Sequence, residues 1–288
     1  MSYQDDLKRH LAEYKRTSLN IAEPGIFRYR GRDLTRDHIL PLAQCSRNLF
    51  EEAEPAARAF LASNPSKRHR YFHHLNSSQA FVFNLFFPYF SGGPESSSAL
   101  LHALGQEGVL DKWEPEAVPV PEEETNIDML WTTQDGTTTF CEVKLSEAGF
   151  GKADDDERHR AKLANWYGDT LMGHLDDGRL ERLAFFKAYQ FNRNVWHMLR
   201  VQRSRLIFLL PKANAKLWSQ LQKLLSGILP DTRGRISAIA IEDVLASLVH
   251  DSKCPETLRE YAKKLSHKYL CTEIAPSHCG LGDSTVRG

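Results

Sequence analysis

Apolar residues recur along the chain at two spacings, one helical and one extended. Tyr3, Leu7, Leu11 and Tyr14 fall on one helical face and predict a helix over residues 3–16. Residues 25–34 alternate apolar and polar around Arg30-Gly31, the pattern of a small hairpin. Residues 38–64 suggest one or two helices ending near Asn64-Pro65, and SKRHRYFHH (66–74) is a basic connector. In LNSSQAFVFNLFFPYF the apolar run is nearly continuous behind Ser77 or Ser78, either a good N-cap. A short, deeply buried helix is expected over 78–87, with Gln79 and Asn84 as its polar exceptions. SGGP then breaks the chain, and Pro94-Glu95 opens a helix to about Leu104.

Three strands are expected at 109–118, 125–133 and 137–145. After the acidic loop EAGFGKADDDE come helices over 157–175 and 182–203. The apolar SRLIFLLP (204–211) reads as a buried strand, 213–226 as an amphipathic helix, and 236–244 as a last strand. The C-terminal stretch reads as helical to about Tyr269, followed by a tail. This order predicts an α/β fold, a mixed sheet flanked by helices. Three regions are expected: an N-terminal helical and hairpin extension (1–75), the sheet-bearing core (76–250), and a C-terminal helix and tail (251–288).

Composition narrows the classes. The chain has 288 residues, 41% hydrophobic and 26% charged, ordinary for a globular protein with a real core. No stretch approaches 18 consecutive apolar residues, which excludes a transmembrane helix, and the charged N-terminus does not resemble a secretory signal. Five cysteines at irregular spacing, with no CxxC pair, suit free thiols in a reducing cytoplasm. Net charge is zero, which argues against a simple polybasic binder, but the charge is segregated. From 106 to 157 there are 15 acids against 3 lysines, and from 182 to 230 there are 9 Lys or Arg and no acid. An acidic block before a basic one can describe a metal centre beside a phosphate-binding face. No GxSxG, P-loop or dinucleotide fingerprint occurs.

Candidate chemistry concentrates in NIDMLWTTQDGTTTFCEVK (126–144). The chain holds four Asp/Glu-x-Lys matches: Asp6/Lys8, Glu13/Lys15, Glu142/Lys144 and Asp251/Lys253. The first two lie on a predicted helix, where residues two apart diverge, and the last in a polar loop. Only Glu142 and Lys144 lie on a strand, where residues two apart share a face. Whether Asp128 joins them depends on register. A two-residue loop would set Asp128 opposite Val143 and point it away. A three-residue loop, Gln134-Asp135-Gly136, pairs Asp128 with Glu142, with Gly136 supplying a left-handed conformation. Carboxylates about 4–5 Å apart on a sheet can hold Mg²⁺, with the Val143 backbone carbonyl as a further ligand. Such an ion could polarise a phosphodiester, and Lys144 could position water or neutralise developing charge.

NID (126–128) and CEVK (141–144), with LNSSQAFVFNLF before and YQFNRN after, resemble the PD-(D/E)XK nuclease superfamily, in particular its restriction-endonuclease-like members. The resemblance spans roughly residues 76–211. It implies a core of helix, three strands, helix and strand, and Mg²⁺-dependent hydrolysis of a nucleic-acid backbone, with Mn²⁺ as the alternative ion. By position, Asp128 and Glu142 become metal ligands and Lys144 the catalytic lysine. Many members add an acid from the first core helix. Gln79 and Asn84 stand there instead, and Glu51, Glu95 and Glu107 are the nearby acids. Gln190 would face the site from the later helix, with Arg193 or Asn194 one turn away, and Lys187, Arg193 and Arg200 are candidates for phosphate contact. The resulting expectation is a DNA endonuclease of restriction or defence type, with no membrane partner, and with a homodimer or two-step action to cut both strands. The alternative is a nuclease-fold protein that binds nucleic acid without turnover.

Overall fold

The computed structural model describes residues 2–271; the tail expected at the C-terminus lies outside them. Helix α1 (Tyr3–Thr17) is capped by Ser2 and buries its Leu7 and Leu11 stripe. A hairpin of β1 (Gly25–Tyr29) and β2 (Arg32–Arg36) turns at Arg30-Gly31, both at positive φ as a two-residue type I′ turn requires. Helices α2 (Glu54–Ser63), α3 (Ser78–Ser91) and α4 (Pro94–Ala103) lead to β3 (Leu110–Ala117), β4 (Ile127–Thr133) and β5 (Thr138–Val143). Short helices α5 (Glu157–Lys162), α6 (Gly168–Leu171), α7 (Arg182–Lys187) and the longer α8 (Tyr189–Leu199) cross to β6 (Ser204–Leu210). Then come α9 (Ala215–Leu225), α10 (Pro230–Arg233), β7 (Ile236–Ala240), α11 (Ile241–His250) and α12 (Glu256–Tyr269).

The last five strands form one mixed sheet in the order β3-β4-β5-β6-β7, antiparallel up to β5 and parallel beyond it. Strand parity sorts side chains into two cores. Met129, Trp131, Cys141, Val143, Ile207 and Leu209 pack with α3, α4, α11 and α12. Phe140, Leu206 and Phe208 pack on the other face with α8 and α9. Leu7 and Leu11 of the N-terminal extension and Tyr261 and Leu265 of α12 join the first core, so both ends of the described chain are built onto the sheet.

Four sequence expectations are corrected, the last of them at α3. The strand expected over 236–244 stops at Ala240, because Ile241 already begins α11. The helix expected over 157–175 is interrupted by a π-helical turn at Leu163–Tyr167 and ends at Leu171. The helix expected over 182–203 breaks at Ala188, whose backbone is non-helical, and the Asn192 amide caps the Phe185 carbonyl there at 3.2 Å.

The buried helix expected over 78–87 runs on to Ser91, straight through Pro88. Proline has no N–H to give to the Asn84 carbonyl four residues back. The Tyr261 hydroxyl from α12 donates to that carbonyl instead, at 2.6 Å. Tyr261→Phe should therefore leave a buried acceptor unpaired and lower stability by about 1–3 kcal/mol. In a Pro88→Ala background the new amide can take the same carbonyl, so the loss should shrink. Urea unfolding of the two single variants and the double variant measures this coupling.

Candidate active site

The β4–β5 hairpin closes with a three-residue loop, 134–136. The Thr133 amide donates to the Thr137 carbonyl at 3.0 Å and the Gly136 amide to the Thr133 carbonyl at 2.8 Å, with Gly136 at φ +81°. Asp135 stitches the turn, accepting from the Thr133 hydroxyl (2.6 Å), the Thr137 hydroxyl (2.9 Å) and Arg203 (2.8 Å). From this closure the ladder runs to Met129 opposite Cys141; counted one residue further, the same register puts Asp128 on the face of Glu142, whose charge acts on its carboxyl. The Val143 amide donates to Asp128 Oδ2 at 2.8 Å. A strand residue points its N–H and C=O to the same side, so the Val143 carbonyl also opens toward Asp128.

Glu142 is buried and held from two directions. Lys144 Nζ lies 2.8 Å from Oε1. From α8, Gln190 donates to Oε1 at 2.7 Å and Asn194 to Oε2 at 2.9 Å. These two amides are four residues apart and so share one helical face. Gln190 Oε1 accepts from Lys144 at 2.8 Å, closing a ring of three side chains. Arg193, between them in sequence, is half-buried and donates to the Asn126 carbonyl and to Asn194 Oδ1, both at 3.3 Å. Its place is behind the site, whereas Lys187 and Arg200 are exposed and Arg200 stacks 4.8 Å over Trp196.

A third acid enters from an element that the sequence did not single out. In the β3–β4 ladder Pro115 pairs with Met129 and Ala117 with Ile127, which brings Glu116 abreast of Asp128. Glu116, Asp128 and Glu142 thus lie in one row across three strands. Glu116 has φ +51°, rare for a side chain with a Cβ, and its buried carboxylate reaches off the row. It accepts from Gln79 at 2.8 Å and Asn126 at 3.0 Å, and lies 3.3 Å from the His69 imidazole. Gln79 also accepts from the His69 amide at 2.9 Å. Gln79 therefore touches the row through Glu116. Asn84 does not join it, because its amide is taken by the Asn48 carbonyl, the Phe50 amide and the Tyr269 hydroxyl in the first core. Glu51, Glu95 and Glu107 are exposed elsewhere.

The electrostatics favour a cation. Burial raises the Asp128 carboxyl well above the usual range, Glu142 and Glu116 raise it further, and Lys144 and the Val143 amide only partly oppose them. Burial works to lower Lys144, but Glu142, Glu147 and Asp128 outweigh it and hold the ammonium above the ordinary lysine value. A carboxylate has about four lone-pair sites. Donors fill three of them on Glu142 and one on Asp128, leaving capacity for a hard cation on both. Among the described residues no group of three His, Cys, Asp or Glu stands ready as a cage, so an ion here would complete its shell with the Val143 carbonyl and water.

The chain before β4 is pinned by a further buried carboxylate, Glu123. Glu123 meets Lys162 at 3.1 Å and His197 at 3.6 Å, and accepts from the Thr125 and Tyr167 hydroxyls. Burial pushes its pKa up, but the His197, Thr125, Tyr167 and Lys162 donors together bring it down to about 2. This anchor ties the approach to Asp128 onto α5, the π-helical turn and α8.

Two pH effects follow, with opposite signs. The folded chain holds a proton on Asp128 that the unfolded chain releases, so this carboxyl lowers stability as pH rises from the ordinary aspartate range through its raised value. In metal-free buffer Asp128→Asn should therefore be more stable than the parent, by a margin that grows across that window. Added Mg²⁺ should stabilise the parent and hardly affect the variant. Glu123 behaves conversely. Its contribution is present above about 4.5 and lost as pH falls toward about 2. Glu123→Gln should lower neutral-pH stability by about 3 kcal/mol, the lower end for breaking a buried pair, with the difference vanishing in acid. Denaturant titrations between pH 2.5 and 8 read both.

No curated protein and no solved structure matches the chain. No helix among the described residues is long and apolar enough to cross a membrane. One family does match, over residues 8–270, a span holding the whole sheet, the acidic row and α8. With that coverage, the chain belongs to the family described as Restriction Endonuclease associating with ARP.

Proposed function

We propose that the protein is a metal-dependent nuclease that hydrolyses phosphodiester bonds, and that its substrate is DNA cut internally. The observation that carries this reading is the Asp128 carboxylate, bonded to the Val143 amide and acted on by Glu142, while Lys144 and α8 hold Glu142 in place. Membership of a restriction-endonuclease family supports it. Asp128, Glu142 and the Val143 carbonyl would hold Mg²⁺ or Mn²⁺. The bound ion would neutralise the phosphate and favour ionisation of an attacking water.

The protein's own groups do the rest. Glu142, Glu147 and Asp128 favour the ammonium form of Lys144, a hydrogen-bond donor. It orients the incoming water or a non-bridging phosphate oxygen and offsets charge as the P–O bond to the leaving oxygen breaks. Gln190 and Asn194 keep Glu142 from swinging away when Lys144 turns to substrate. Glu116 stands beside Asp128, with the His69 imidazole 3.3 Å away as its basic neighbour, and adds to the negative field that would draw in a cation.

A second reading is a nuclease-fold protein that binds nucleic acid without turnover. The absence of a ready three-acid cage among the described residues favours it. Plasmid and single-stranded DNA incubated with the protein in Mg²⁺, Mn²⁺ or EDTA separates the two. Metal-dependent cleavage is expected, with Asp128→Ala and Lys144→Ala each reducing it about 100-fold or more. Cleavage that survives either substitution sinks the site assignment, and binding without cleavage selects the second reading.

A further inference from the structure

The β1–β2 hairpin is too small to have a core, yet it is firmly seated. Phe27 meets Tyr71 and His74 edge-on at 6.0 and 5.0 Å. Arg70 donates to the Arg28 carbonyl at 3.0 Å, and His73 approaches the Ile26 carbonyl at 3.3 Å. Gly25 lies so close to Ile39 and Leu40 that a Cβ would come within 2.5 Å of both. The hairpin is thus fixed to residues 66–74, and that strap also carries His69, which reaches Glu116 in the acidic row.

Charge on this surface is one-sided. From 25 to 36 there are four arginines and one acid, and from 66 to 74 three more Lys or Arg and no acid. Lys67 pairs with Glu114. Arg28, Arg30, Arg32, Arg36 and Arg70 make no ion pair with the described residues. Arg32 and Arg36 lie across from Tyr29 and Gly25, and Arg30 sits at the turn, 5.3 Å over the half-exposed Tyr29 ring. Arg28 faces Asp33 and is the least free of the five. Between the strap, the start of α3 and the loop after β5 lies a cavity of about 400 Å³, lined by His69, Arg70, Tyr71, Asn76, Ser78 and Glu147.

Unpaired guanidiniums beside an exposed aromatic ring fit a polyanion whose units also stack, which is the chemistry of a nucleic-acid strand. We propose that the hairpin and its strap form a substrate arm that grips the nucleic-acid phosphate backbone and leads it along the cavity to the Asp128–Glu142 pair. This rests on the nuclease reading and moves the main phosphate contacts from Lys187, Arg193 and Arg200 to the N-terminal hairpin and its strap.

Binding of labelled duplex and single-stranded DNA by fluorescence anisotropy, in EDTA and across a salt series, tests it. Replacing Arg30, Arg32 and Arg36 together by Gln should weaken duplex binding at least about ten-fold and flatten the log K against log salt slope by about 0.9 for each phosphate no longer neutralised. The triple Lys variant, which keeps the charge, should retain the slope, and Lys187→Gln with Arg200→Gln should change little. Unchanged binding by the Gln triple, or equal loss by the Lys triple, overturns the arm while leaving the nuclease reading intact. A parent protein that binds no nucleic acid overturns both. Capture by anionic phospholipid vesicles in place of DNA also overturns the arm.

Discussion

Thr133 and Thr137 face each other across three loop residues, and the site depends on that pairing. Side chains on a strand alternate with a period of two, so one residue more or less in the loop would turn Asp128 away from Glu142. Gly136 makes the loop length accessible through its positive φ, and Asp135 fastens it with the threonine hydroxyls on both sides. The turn lies several residues from the acids, yet it decides whether they share a face.

The surrounding structure turns that pairing into a strained electrostatic arrangement. Two buried acids beside a third repel one another, and Lys144 compensates only part of the charge. The fold holds them because each is fixed by donors on rigid elements: Glu142 by α8, Glu116 by α3, and the approach to Asp128 by the buried Glu123 cluster. Such an arrangement lowers stability without a cation and is relieved by one. Its cost at rest is a physical reason to expect ion binding there.

Local features of the site were legible in the sequence. Strand parity singled out Glu142 and Lys144 from four similar pairs, loop chemistry permitted the three-residue closure without deciding it, and residue order resembled a known nuclease pattern. Gln190 was legible from its place on the later helix. Glu116 was not, since it reaches the row through the β3–β4 register, and the connection over residues 118–126 is too long for its turn chemistry to fix that register. Asn84 misled for a related reason. Tyr261 and Tyr269, far along the chain, bond to its carbonyl and its amide and draw it into the first core. Arg193 needed the rotation of α8 about its axis, which a break at Ala188 resets. In each case the deciding contact is long-range.

The central claim is that Asp128 and Glu142 face one another as a single cation site. Anomalous diffraction from crystals soaked in Mn²⁺ tests it most directly. The account predicts one strong peak between the two carboxylates, with an oxygen of each at about 2.1–2.2 Å and the Val143 carbonyl nearby. A peak held by other residues, or a site that stays empty at saturating Mn²⁺ with Lys144 still locked on Glu142, would contradict it.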